Sequence, residues 1–206
     1  MTAVARPQLR PPTEWLTRVG VRAGFLAGAL GLVGFALVLL APREAAARAS
    51  DPVWLIAALA GWLSTLLALI FLFGLAATAQ RPSLAGRVAL VLAVVSTGAS
   101  GGLHARVLFD YAAFGLDPVF AAKLHDTQTP LAEKLFFTIA LVALVSWVVV
   151  ARTLGRATGL SRTGRITVGV AGLGIMLPIP LTAIALIMAS AALHSTAIAS
   201  ENSSPP

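Results

Sequence analysis

Long apolar stretches alternate with short polar breaks along this chain. Within each stretch the apolar residues run on without alternation. Five stretches are near the ~20 residues a helix needs to cross a bilayer. They predict spans over about 20–41, 52–78, 84–109, 130–154 and 164–193. A membrane β-barrel is excluded, because its strands alternate apolar and polar positions. The expected fold class is all-α: a polytopic membrane protein built as a five-helix bundle over 20–193.

The breaks carry helix punctuation. Asp51-Pro52 offers an N-cap aspartate followed by a proline at the first helical position. Ser83 can cap the third span, and Thr129-Pro130 starts the fourth. Between these two spans an outer loop is expected over 110–129, with Asp117-Pro118 opening a short surface helix over 118–125. Residues 1–19 form a lead with Thr13 as an N-cap and Trp15 suited to the headgroup level, where tryptophan is enriched. The first dozen residues and the small polar tail, 194–206, are expected to be disordered. Arg-rich lead, apolar run and Ala47-Arg48-Ala49 also resemble a cleavable signal peptide. The apolar run exceeds the 7–15 residues of a signal core, so the first span is read as a retained anchor.

Composition strengthens the membrane reading. The chain of 206 residues is 58% hydrophobic and only 11% charged, against roughly 25% charged in soluble domains. It has no cysteine, which removes disulfides, thiolate metal ligands and thiol nucleophiles. Its abundance of Ala, Leu, Gly, Val and Arg resembles that of bacterial membrane proteins from GC-rich genomes. The location expected is a bacterial inner membrane, crossed several times.

The net charge of +7 matters through its distribution. The bases are scattered without interleaved aromatics, so no nucleic-acid partner is expected. They sort instead by membrane side. The lead, the second turn and the connector before the fifth span hold Arg6, Arg10, Arg18, Arg22, Arg81, Arg87, Arg152, Arg156, Arg162 and Arg165, ten bases against one acid, Glu14. The other side holds five bases (Arg43, Arg48, Arg106, Lys123 and Lys134) and seven acids (Glu44, Asp51, Asp110, Asp117, Asp126, Glu133 and Glu201). By the positive-inside rule the N-terminus is cytoplasmic. Five spans then put the C-terminus outside, together with His104, His125 and His194.

Four features carry candidate chemistry. Ser96, Ser100 and His104 recur every four residues, forming one helical face. Polar residues within spans usually face the bundle interior, so the third span is expected to be a hub. Its glycines, Gly98 and Gly102, form another face, and Gly20, Gly24 and Gly28 repeat the spacing in the first span. Such small-residue spacing permits close helix packing. The outer histidines with Asp126 could hold a metal ion or a haem, although no local spacing is a metal motif and no cofactor is favoured. Finally, Pro178 and Pro180 break the fifth span, a device transporters use to build sites. Arg106 and Asp110, one turn apart, read as a surface ion pair. No G-x-S-x-G elbow or phosphate-cradling loop occurs.

The function expected is therefore non-enzymatic: a packing or accessory subunit of a membrane assembly. Its partners would be the lipid bilayer and either further copies of itself or a larger complex. A metal- or haem-binding protein is the first alternative, and a transporter or channel component the second.

Overall fold

The computed structural model describes residues 11–42, 51–79, 82–116, 118–174 and 180–202, and its regular structure is entirely helical. The helices are α1 (Pro11–Leu40), α2 (Pro52–Thr78), α3 (Leu84–Leu116), α4 (Pro118–Ala157), α5 (Arg162–Gly174) and α6 (Pro180–Asn202). Five of them contain a segment long and apolar enough to cross a membrane: Glu14–Leu40, Pro52–Thr78, Leu84–Arg106, Lys134–Ala157 and Pro180–Ala199. The thirteen-residue α5 falls short of that length.

Local chemistry accounts for the helix ends. The Asp51 carboxylate accepts from the backbone N–H groups of Val53 and Trp54, at 2.6 and 3.2 Å, with Pro52 at the first helical position. Ser83 accepts from the Gly86 N–H at 3.2 Å. At the end of α4, Leu160 N–H donates to the Gly155 carbonyl and Gly159 N–H to that of Arg156. Gly159 has φ +78, the left-handed residue that this C-terminal motif requires. Two residues later Ser161 caps α5 by accepting from the Gly164 N–H at 3.1 Å. The α4–α5 turn is thus fixed by its own backbone.

The main departure from expectation is in the last third of the chain. One continuous fifth span is replaced by two helices, and α6 folds back along α5. A Cβ placed on Gly164 would lie 2.9 Å from Ala192 Cβ, and one on Gly159 would lie 3.8 Å from Thr196 Cγ2. Residues near the start of α5 therefore face residues near the end of α6. The contacts with α1 agree. Gly24 faces Ser190, whereas Gly28 and Gly31 face Ala183, so α6 runs antiparallel to α1. Proline chemistry favours a break here: Pro180 has no N–H to donate and its ring would clash with the carbonyl four residues back. It serves as the first residue of α6 instead. Pro178 lies outside the described residues. As a result, the first turns of α1 and the last turns of α6 occupy the same end of the bundle, not opposite ends.

Three boundaries also shift. The expected outer loop over 110–129 is largely helical, because α3 continues to Leu116 and α4 begins at Pro118 and runs through Pro130. Polar residues end the apolar segment there without ending the helix; Gly115, Asp117 and Pro118 carry breaking chemistry, and so does Pro130, which α4 nevertheless contains. At about 1.5 Å per residue, α3 and α4 are roughly 50 and 60 Å long. Both exceed the ~30 Å hydrocarbon thickness. α1 already begins at Pro11, since prolines suit a first helical turn. Thr13 is inside the helix rather than capping it. Residues 194–202, expected in a disordered tail, belong to α6.

Each helix packs on its neighbour in sequence, and α6 packs on α1, which closes a ring. Expected as a hub, α3 instead has α2 and α4 as its main neighbours, like any other member of the ring. Across the ring, the Trp147 indole of α4 stacks on Phe71 of α2, with centroids 6.4 Å apart and planes within 8°. Its Nε1–H donates to Thr97 Oγ1 of α3 at 3.1 Å. Both aromatic rings are fully buried, and much of the core around them is alanine. Large apolar side chains instead cover the outside, among them Leu39, Phe73, Val95, Leu141 and Leu181.

Candidate functional site

The polar stripe of α3 points into the ring. Ser96 and Ser100 are buried, and Ser96 Oγ donates to the Ala93 carbonyl at 3.2 Å. His104, half-buried one turn further, has Nδ1 3.0 Å from the Ser100 carbonyl. A carbonyl only accepts, so Nδ1 is the donor in this bond. The imidazole edge rests on Gly61 of α2: a Cβ there would lie 2.4 Å from His104 Cδ2 and 2.6 Å from Nε2. His104 is therefore a wedge filling the space that the missing side chain leaves. Nearby Gly101 faces Thr65 of α2 in the same way, and Ser64 Oγ donates to the Ala27 carbonyl of α1 at 2.8 Å.

Histidine positions follow from the fold-back. His104 is level with Gly61, which faces Gly34 of α1. His194 lies a turn beyond Ser190, which faces Gly24. Ten α1 residues and that extra turn separate the two levels by about 20 Å. The structure does not bring His104 and His194 together, and the expectation that all three histidines share one face fails at His194. Metal–nitrogen bonds of about 2 Å cannot bridge such a gap. His125 and Asp126 lie within α4, but their side chains are outside the described residues, as is that of Asp110. Among the described residues, no group of three His, Cys, Asp or Glu side chains converges as a metal site.

The glycines divide into two sets. Gly20 meets Gly74 of α2 backbone to backbone, a Cβ on either lying 2.6 Å from the other's Cα. Gly24 and Gly28 meet α2 and α6 closely as well. In contrast, among the described residues nothing lies within 4 Å of a Cβ built on Gly98 or Gly102. Both are exposed. They continue a row on α3 that comprises Leu84, Val88, Val91 and Val95 before them and Phe109 beyond, all exposed. These positions alternate steps of four and three, with Ala105 completing the pattern. That is the heptad spacing of helices that pack along a seam.

Two features were missed at the sequence level. One is the Trp147–Phe71–Thr97 contact, for which the signal was a tryptophan deep in an apolar run, whose indole N–H needs a partner when buried. The other is the regular α3 row, hidden because apolar residues at this spacing suit lipid as well as they suit a partner helix. Comparison with protein-family models, curated proteins and solved structures found no match.

Proposed function

We propose that this protein is a non-enzymatic, multi-pass membrane subunit whose task is helix–helix assembly, with the α3 row as its contact surface. The observation that carries this reading is the open pair Gly98 and Gly102. In lipid, helix association relies on packing, hydrogen bonds and lipid entropy, and small residues let backbones approach. The bundle already uses Gly20, Gly24, Gly28, Gly61 and Gly74 against its own helices. Gly98 and Gly102 are spaced in the same way, but among the described residues no such helix lies opposite them. A partner helix, from a second copy or from another membrane protein, would give this face the contact the other glycines have.

Orientation follows from charge. The end that carries the first turns of α1, the α2–α3 and α4–α5 turns and the last turns of α6 has ten attached bases and two acids, Glu14 and Glu201. The opposite end has five bases and six acids. Moving Glu201 to the basic end leaves the bias intact, so the reading places both termini in the cytoplasm, in what composition suggests is a bacterial inner membrane. The metal and haem reading loses its main geometric support with the separation of His104 from His194.

The test is co-purification in mild detergent. Wild-type protein is expected to elute with itself or with a second membrane protein, and Gly98→Leu with Gly102→Leu to elute alone with an unchanged helical spectrum. A wild-type monomer free of associated protein would overturn the proposal.

A further inference from the structure

A groove runs down the outside of the ring between α4 and α5, with a volume of about 350 Å³. One wall is the row Leu144, Val148, Arg152 and Arg156, each four residues from the last. The facing wall includes Arg162, Ile166, Val170 and Leu173. The floor is small: a Cβ on Gly169 would sit 3.8 Å from the Ala151 Cβ. Each wall changes character along its length. Apolar side chains line the deeper part, and four guanidiniums, Arg165 among them, gather near the α4–α5 turn.

That convergence is built into the backbone. The Gly159 and Ser161 turn reverses the chain within four residues, which sets Arg152 and Arg156 beside Arg162 and Arg165. Arg165 is tied there by its Nη1 donating to the Leu160 carbonyl at 2.8 Å, and its stem lies over Gly155, where a Cβ would be 2.9 Å from Arg165 Cγ. The other three arginines are exposed. No acidic residue occurs between Glu133 and Glu201, so the sequence around the groove supplies no neighbouring carboxylate. Topology alone would need bases at this end, but it would not need four of them at the mouth of one apolar groove.

We infer that this groove binds an anionic phospholipid, with the phosphate held by Arg152, Arg156 and Arg162 and an acyl chain lying along Leu144, Val148, Ile166 and Leu173. Arginine pairs with phosphate through a planar fork of donors, which gives geometry as well as charge. From Arg156 to Leu144 is about 18 Å along the helix, close to the ~15 Å depth of one leaflet's hydrocarbon. A free phosphate would use the mouth and leave the apolar walls empty, whereas a lipid uses both. The inference rests on the bundle lying in a membrane and is independent of the α3 contact, which is on a different helix.

Native mass spectrometry of the purified protein, exchanged into mild detergent with phosphatidylglycerol or phosphatidylcholine, tests it. We expect one phosphatidylglycerol retained at least ten-fold more than phosphatidylcholine, with inorganic phosphate at millimolar concentration failing to displace it. Arg152→Gln with Arg156→Gln should remove the preference. Because that variant could alter insertion, Ile166→Trp is the second probe: it fills the groove with every charge intact and should lower phosphatidylglycerol retention to a similar extent. Arg22→Gln with Arg87→Gln, at the same end but away from the groove, should retain the lipid. Equal retention of the two lipids, retention unchanged in Ile166→Trp, or displacement by phosphate alone would overturn the site.

Discussion

At the residue scale, what neighbours each glycine decides what a substitution does. Gly20 touches the Gly74 backbone, which cannot move aside as a flexible side chain can. Gly20→Ala should therefore destabilise the bundle by about 1–3 kcal/mol, the usual range for overpacking. Gly98→Ala should do the opposite to the isolated chain, since alanine is favoured in a helix by up to ~1 kcal/mol and meets no atom here. Thermal unfolding of both variants in detergent measures the contrast; equal losses would mean that the open face is not open. Trp147→Phe keeps the stack on Phe71 but removes the hydrogen bond to Thr97. The expected loss is about 1 kcal/mol, read as a lowered midpoint with unchanged helix content. Gly61→Ala should displace the His104 ring, and combining it with His104→Ala should recover stability, because the alanine methyl then occupies the space the ring has left.

At the scale of elements, the account turns on the reversal between α5 and α6. The apolar run over 164–193 was legible as membrane-length, but periodicity could not tell one span from a hairpin of two shorter helices. Pro178 and Pro180 were visible as a break. Their consequence was not, because a proline can kink a helix or end it, and the choice depends on tertiary partners. Those partners are Gly24, Gly28, Gly164 and Ala192, which let α6 lie close to both α1 and α5. Conversely, the caps Asp51 and Ser83 were legible, since each needs only its own following turn. The loop over 110–129 was misread because polarity marks where the apolar segment ends, not where hydrogen bonding stops. A chain without cysteine allows a direct check with single cysteines. Ser83→Cys, Ser161→Cys and Ser195→Cys should react with a membrane-impermeant maleimide from one side of sealed vesicles, and Asp51→Cys from the other. Reaction of the Ser195→Cys variant from the Asp51 side would restore a continuous fifth span.

At the scale of the whole molecule, the ring divides its surface into distinct duties. Among the described residues, its interior holds alanines, buried leucines and valines such as Leu72, Leu75, Leu154 and Val168, hydroxyls bonded mostly within their own helices, and the Trp147–Phe71 pair. Its basic end carries most of the arginines, and its long helices α3 and α4 extend beyond a bilayer's hydrocarbon thickness at the other. What the sequence could not reveal was which glycines face inward, because Gly20, Gly24 and Gly28 have the same spacing as Gly98 and Gly102. Only the packed ring separates the used faces from the open one. The assembly role rests on that difference, and photo-crosslinking in native membranes tests it most directly. A photoreactive residue at Val95, Gly98 or Gly102 should give a discrete protein adduct, while one at Leu66 or Phe73, exposed on α2, should give none. Adducts at neither set, or at both sets equally, would mean that the α3 row faces lipid alone.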